Sequence, residues 1–314
     1  MTIAPYQKIT LQVPAKINPQ IRVGPLRQDG YHDITLAYQA ISLYDSLTIT
    51  HNPEGPTMTV TGMDSDRVPN DSRNLVIKAA ALLAKQVGVS PRLHFELSKM
   101  IPSEAGLGGG SADAAAALVG CNLMWGSTLD DDELMELGAQ IGEDVPFFIN
   151  GMMALGLGHK QPLIPLEVAD YPWIWVLAVP TRGLSTKGVF QEYDSDMTGS
   201  LAEEEEAYTC RRKGCIDTPW GTTPPMELLS SLVNDLEVPS SRLLPDIGVA
   251  LEAGRAFGAA ASLMCGSGST CAFLARDEAH AVRLRTELQK MAIFREVMVA
   301  AGPVEGVKVI EASR

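Results

Sequence analysis

The sequence predicts two α+β domains in succession. Three observations carry this. The chain has 314 residues, 46% of them hydrophobic, which suits one large core or two modest ones. The order of strand-like and helix-like segments mixes both types in each half. Each half holds its own apolar strand and its own glycine-rich turn, with a join near residues 160–172. The expected domains are 1–165 and 166–314.

Residues 8–13, "KITLQV", alternate as a strand does, and "INPQIRV" resumes after Pro14. Pro19 places that segment on a sheet edge or at a bulge. Residues 38–50 and 57–60 are further strands. "DSRNLVIKAAALLAKQVG" reads as a helix, with Asp71 or Ser72 as cap and Gly88 as its end. A strand at 92–101 leads into a glycine loop and a helix from Ser111 to Trp125. Residues 129–142 form a helix with acids at its positive end. "EDVPFFI" and "MMALGLG" read as a turn and a strand.

The second half opens on the buried strand "WIWVLAV" (173–179), and a short helix follows Ser185. Residues 194–225 have few apolar residues and many charges, and read as an exposed insertion, disordered in part. Residues 226–260 look helical. "ASLMCGSGSTCAFLA" is a pair of strands around a second glycine-serine turn. A helix and the strand "FREVMVAAG" follow.

The formal net charge of −13 argues against nucleic acid and against an anionic membrane surface, which need a basic face. A small anionic substrate stays compatible, because local amides, a few lysines and a metal ion outweigh a global charge. The start lacks the basic-then-apolar order of a signal peptide, and "WIWVLAV" is too short to span a bilayer. The five cysteines lack zinc-site partners and read as reduced thiols of a cytoplasmic protein.

"PSEAGLGGGSADAAAAL" (102–118) packs four glycines into five residues ahead of an alanine run. Glycines let backbone N–H groups turn inward, and a helix N-terminus adds partial positive charge. The loop lacks the Gly-Lys-Ser/Thr end of a P-loop and the strand–helix–strand setting of a dinucleotide fingerprint. On the loop alone, a phosphate cradle and a tight strand-to-helix turn stand as alternatives. "PAKIN" puts Lys16 and Asn18 on one face of a strand. Taken singly, Lys16 is a solvated strand lysine, "DGYHD" is a polar turn, and Asp144 in "GEDVPFF" caps a turn.

Together, "PAKIN", "DGYH", "NLVIKAA", "IPSEAGLGGGSADAA", "GEDVPFF" and "GSGSTCAF" resemble the GHMP kinases in order and spacing, over nearly the whole chain. The "DGYH" element resembles the branch acting on a cytidine-diphosphate methylerythritol, in the non-mevalonate route to isoprenoid precursors. The resemblance implies an N-terminal domain like the second domain of ribosomal protein S5 and a ferredoxin-like C-terminal domain. It implies transfer of the γ-phosphoryl of ATP, with Mg²⁺, to the 2-hydroxyl of that substrate, directly and in line.

The resemblance also assigns residues. Asp144 is the base and Lys16 its partner. Pro102, Ala105, Gly106, Leu107, Gly108, Gly109, Gly110 and Ser111 belong to the ATP loop, and Asn74 and Lys99 line the adenine side. Asn18 approaches the acceptor alcohol. Tyr31 and His32 read cytosine, Phe190 covers the other face of the base, and Gly266 and Gly268 shape the cleft floor. No residue is assigned as a direct metal ligand.

Two departures stand out. Pro19-Gln20 replaces the usual apolar pair after "PAKIN", and Asp113 brings an acid near the triphosphate unless it turns away. The alternatives are a GHMP kinase for homoserine, mevalonate or a sugar, a non-catalytic sensor of the same fold, and a structural module of the S5-like type. Lack of "DGYH" would mark the first, and loss of Asp144 or Lys16 the second. The expected partners are ATP and a small molecule, with no nucleic acid and no membrane, for a monomer or weak homodimer.

Overall fold

In a computed structural model, which describes residues 6–158, 161–196 and 201–314 (backbone alone for 201–204), the chain opens with one long hairpin. The strand segments read separately in the sequence merge into β1 (Lys8–Leu26) and β2 (His32–His51). They pair antiparallel along almost their whole length. Between them, Arg27 N donates to the Tyr31 carbonyl and Gly30 takes a φ of 82°. Pro19 sits where Ile17 opposes Gln39 but Gln20 opposes Ala37, so β1 carries one extra residue there. The proline that removes a ladder donor is absorbed by this bulge.

The hairpin anchors an eight-stranded sheet. β3 (Thr57–Gly62) and β4 (Leu93–Lys99) extend it beyond β2. Helix α1 (Leu75–Val87) precedes β4 and is capped by Asn74, whose Oδ1 accepts from Val76 N, rather than by Asp71 or Ser72. Gly88 closes it with a φ of 73°. Helix α2 (Gly109–Met124) follows the glycine loop. Its alanines 112 and 114–117 are all buried, so no polar face is left and the helix lies inside the domain. At Gly120 a Cβ would meet the side chains of Ile49 and Leu11, which fixes the closeness of α2 to the sheet.

Helix α3 (Asp131–Ala139) starts at a capping box between Asp130 and Glu133. The expected turn "EDVPFFI" is instead a short helix, α4 (Val145–Asn150), started by Pro146 in its first turn. β5 (Met153–Leu157) and β6 (Ile164–Pro165) complete this half on the free side of β2.

The second sheet has four strands in the order β11-β7-β10-β9, all antiparallel, with helices packed on it. Its members are β7 (Trp173–Pro180), β9 (Ala261–Met264), β10 (Cys271–Ala275) and β11 (Phe294–Gly302). Between β7 and β9 run α5 (Thr186–Ser195), α6 (Leu201–Asp217), the two-residue β8 (Val233–Asn234), α7 (Glu237–Leu243) and α8 (Pro245–Ala256). Residues 226–260 are thus only partly helical, since two 3₁₀ turns and β8 precede α7. Helix α9 (Glu278–Leu288) links β10 to β11.

The halves are not cleanly sequential. β12 (Lys308–Ser313) returns to pair with β1 at Lys8–Gln12, and β8 pairs with β1 at Gln20–Ile21. Trp175 Nε1 on the second sheet donates to Gln39 Oε1 on the first at 2.8 Å. Two segments from the second half therefore brace β1, one at its start and one past its bulge.

The expectation of an exposed insertion at 194–225 is corrected by α6. Residues 197–200 lie outside the described residues. Beyond them, Tyr208, Cys215 and Trp220 are buried although their neighbours are charged. Tyr208 and Cys215 are seven apart, two helical turns, so they share one face. That face packs on the hairpin. The Tyr208 ring fills the space over Gly24, and its hydroxyl lies 2.9 Å from Thr35 Oγ1. Arg212 donates to the Leu157 carbonyl at 3.3 Å. Charge-rich composition hid a narrow apolar stripe.

Candidate active site

β4 ends at Lys99, and the chain then turns through the glycine loop into α2. Gly106 and Gly108 have φ of 77° and 75°, a conformation that side chains with a Cβ rarely adopt. Gly108 is the N-cap of α2 and gives no side-chain cap, so the first N–H groups of this 16-residue helix keep their capacity for an anion. The loop is pressed against β1, where Lys16 N donates to the Leu107 carbonyl at 3.0 Å.

The eight expected loop residues divide in two. Pro102, Ala105 and Leu107 are buried and anchor the loop. Gly106, Gly108, Gly109, Gly110 and Ser111 are partly or fully open.

The second glycine turn meets the first. A Cβ on Gly106 would run into the Cys265 carbonyl, and one on Gly266 would lie 3.2 Å from the Gly106 carbonyl and 3.4 Å from Lys16 Nζ. Gly266 and Gly268 have φ of 58° and 96°. Asn234 holds this turn by donating Nδ2 to the Met264 and Gly266 carbonyls at 2.8 and 2.7 Å. Glycine is required on both sides because two backbones touch there.

Lys16, Asn18 and Asp144 converge beside the loop. Lys16 Nζ donates to Asn18 Oδ1 at 2.7 Å and lies 3.8 Å from Asp144 Oδ2. Asn18 Nδ2 donates to the Ala37 carbonyl at 3.2 Å. Lys16 and Asn18 are buried, while the Asp144 side chain is 33% exposed. Asp144 precedes α4 but makes no capping bond. The bland reading, a turn-capping aspartate, is thereby set aside. Tyr38 donates its hydroxyl to Asp144 Oδ1 at 2.8 Å and stacks on Phe147 with ring centroids 4.8 Å apart. Burial, then the Asp144 carboxylate, pushes the Tyr38 phenol well above the usual range, so it stays a donor.

Lys99 is placed differently from the expectation of an adenine-side residue. Its ammonium is buried beneath the loop, held by Asp45 and by Asp113, with Asp113 Oδ2 at 2.6 Å. Asp45 also accepts from Met100 N and Ile101 N at 2.6 and 2.9 Å, which shapes the entry to the loop. Asp113 therefore turns inward, away from any triphosphate. Burial pushes its carboxyl well above the ordinary range, opposed by Lys99. Asn74 has both ends of its amide engaged, at Val76 N and at the Pro69 carbonyl.

The "DGYH" turn lies at the far end of the hairpin. His32 is buried, and its Nδ1 donates to the Gly24 carbonyl at 2.7 Å, which fixes the tautomer. Its Nε2 is 3.1 Å from Asp194 Oδ1, off the hydrogen-bonding direction. Phe190 stacks on His32 at 5.3 Å and 25°, which leaves no room for a base between those two rings. One face of Phe190 is thus taken by the histidine. Tyr31 is 57% exposed.

Two family models match: GHMP kinases N terminal domain over residues 74–152, and GHMP kinases C terminal over residues 224–293. The 4-diphosphocytidyl-2-C-methyl-D-erythritol kinase of Salinispora tropica is 41% identical over 301 residues, covering 96% of this chain and 94% of that protein.

This chain belongs to the GHMP kinases.

Among solved GHMP kinases, a 4-(cytidine 5'-diphospho)-2C-methyl-D-erythritol kinase superposes with a TM-score of 0.71 at 30% identity, over 93% of this chain and 98% of that one. A homoserine kinase from Cytophaga hutchinsonii reaches 0.77 at 17% identity, over 99% of both, which shows the shared fold alone.

Three residues of this GHMP kinase site escape a reading of the sequence. Tyr38 sits in an apolar strand, where only its need of a partner for a buried hydroxyl is a signal. Asp45 is an acid in the same strand, unremarkable until Lys99 is seen beneath it. Asn234 gives no local signal, because its partners lie about thirty residues on.

Proposed function

We propose that the protein transfers the γ-phosphoryl of ATP to the 2-hydroxyl of 4-(cytidine 5'-diphospho)-2-C-methyl-D-erythritol. The observation that carries the proposal is the meeting of Lys16 and Asp144, 3.8 Å apart, beside the open first turn of α2. The relatives' names supply the acceptor, and "DGYH" at residues 29–32 supports it.

ATP phosphates bind the N–H groups of Gly106 to Ser111. Ser111 Oγ offers a hard oxygen at that helix turn, a donor type that suits Mg²⁺ carried on the triphosphate. When bound, Mg²⁺ supplies charge neutralisation to the phosphates. Among the described residues, no group of three His, Cys, Asp or Glu side chains converges as a metal cage.

Asp144 accepts the proton of the acceptor hydroxyl as the oxygen attacks phosphorus. The bond to the ADP oxygen breaks in line, and no phosphoenzyme forms. Lys16 places positive charge beside the aspartate and the moving phosphoryl. Asn18 orients Lys16 and faces the acceptor. Tyr31 stacks on cytosine, on a turn that His32 holds in place through the Gly24 carbonyl.

The protein acts in the cytoplasm as a monomer or weak homodimer. All five cysteines are unpaired, and burial pushes Cys215 and Cys265 up to about 12, which makes them inert thiols. Among the described residues, no helix is long and apolar enough to cross a membrane.

The test is ATP consumption with the cytidine diphosphate methylerythritol, homoserine, mevalonate and galactose as separate acceptors. Turnover with the first alone is expected. Turnover only with another acceptor would keep the kinase and overturn the cytosine assignment. ATP binding without any turnover would point to a sensor.

A further inference from the structure

We propose that Tyr38 is a positioning residue for phosphoryl transfer, acting through the carboxylate of Asp144. The inference rests on the reading of Asp144 as the base.

Tyr38 completes a closed circuit of polar contacts. Its hydroxyl donates to Asp144 Oδ1 at 2.8 Å. Asp144 Oδ2 faces Lys16 Nζ at 3.8 Å. Lys16 donates to Asn18 Oδ1 at 2.7 Å, and Asn18 Nδ2 donates to the Ala37 carbonyl at 3.2 Å. Ala37 is the residue before Tyr38, so the circuit begins and ends on the same stretch of β2. Each member fixes the next.

The bulge in β1 sets this placement. Tyr38 lies opposite the extra residue that Pro19 introduces into β1, between the Ile17–Gln39 and Gln20–Ala37 pairs. Its ring is buried and stacked on Phe147, in the helix that begins just after Asp144. The hydroxyl and the aspartate are thus set by one packed unit.

The chemical consequence is a division of labour between the two carboxylate oxygens. Oδ1 is occupied by a donor that does not ionise in the working range. Oδ2 alone is left toward Lys16 and the acceptor. A carboxylate with both oxygens unbound rotates about its Cβ–Cγ bond, and loss of a fixed near-attack geometry lowers turnover without altering substrate affinity.

The experiment is a double-mutant cycle in the full chain with ATP and the cytidine diphosphate methylerythritol, using Tyr38→Phe, Asp144→Asn and the double variant. Tyr38→Phe keeps the ring and its stacking, and its melting temperature is measured alongside. The expected result is a kcat about ten-fold lower with both KM values unchanged. Single-turnover rates are expected to show no further loss when Tyr38→Phe is added to Asp144→Asn, because its effect passes through the carboxylate. An unchanged kcat, a rise confined to KM, or an equal loss in both backgrounds would overturn the inference. Should Asp144→Asn alone keep full activity, the base reading fails instead. If Asp144→Asn is too slow to time, the split of kcat from KM in Tyr38→Phe decides.

Discussion

Two lysine–aspartate groups flank the same glycine loop, and they differ in slack. Lys99 is sealed between Asp45 and Asp113, with side-chain exposures of 3%, 0% and 4%. Lys16 stands 3.8 Å from Asp144, whose side chain is one-third exposed. The first group has its lysine held by two carboxylates and is shut away from any ligand. The second has a lysine with one close hydrogen bond and an aspartate open on one side. Identical residue types thus serve as a brace in one place and as reaction machinery in the other. The distinguishing quantity is unsatisfied capacity facing a cleft, not the presence of charge.

Breaking each group separates these roles. Lys99→Met leaves two aspartates buried without their cation, and removing one partner of a buried pair costs about 3–5 kcal/mol. Urea unfolding checks this; an unchanged midpoint would make the brace dispensable. Lys16→Met is expected to slow phosphoryl transfer by about 10²–10³, as loss of a preorganised charge does. Its unfolding midpoint should move much less than that of Lys99→Met. Parallel losses of stability in both would erase the contrast.

Smaller effects sharpen it. Tyr31→Ala is expected to raise KM for the cytidine substrate by about ten- to a hundred-fold, the range of one lost base stack, with KM for ATP unchanged. Equal changes in both would remove Tyr31 from the base. The smallest effect concerns the loop's outer tether. Arg295 on β11 holds the Asp64 carboxyl below its ordinary range, helped by Ser103 N and opposed by burial. A carboxyl lowered in the folded state stabilises above its unfolded value and ceases to do so as pH falls through the folded one. Asp64→Asn should therefore lower the melting temperature near pH 7, and the difference should close in acid, below the ordinary carboxylate range. A gap that persists in acid would mean the tether is not ionic.

Much of the site was legible in the sequence. Lys16, Asn18 and Asp144 lie up to 128 positions apart, yet the family motifs bring them together as the fold does. The bulge at Pro19 followed from the missing N–H of proline. Other features depend on contacts no local pattern encodes. Lys99 reads as a cleft lysine until Asp45, 54 residues earlier, is seen beneath it. Phe190 meets His32 because α5 packs on the start of β2. β12 was missed since all six of its residues are exposed, leaving no buried alternation to detect. α6 was misjudged because two apolar anchors among many charges, Tyr208 and Cys215, suffice when they share a face.

The most direct test of the central claim is the single-turnover rate of Asp144→Asn with ATP and the cytidine diphosphate methylerythritol, read beside its melting temperature. A base that takes the acceptor proton is worth about 10²–10⁴ in rate. The account predicts a loss in that range with a melting temperature close to that of the unmodified protein. Full activity in a folded Asp144→Asn would contradict it and leave Lys16 without the partner assigned to it.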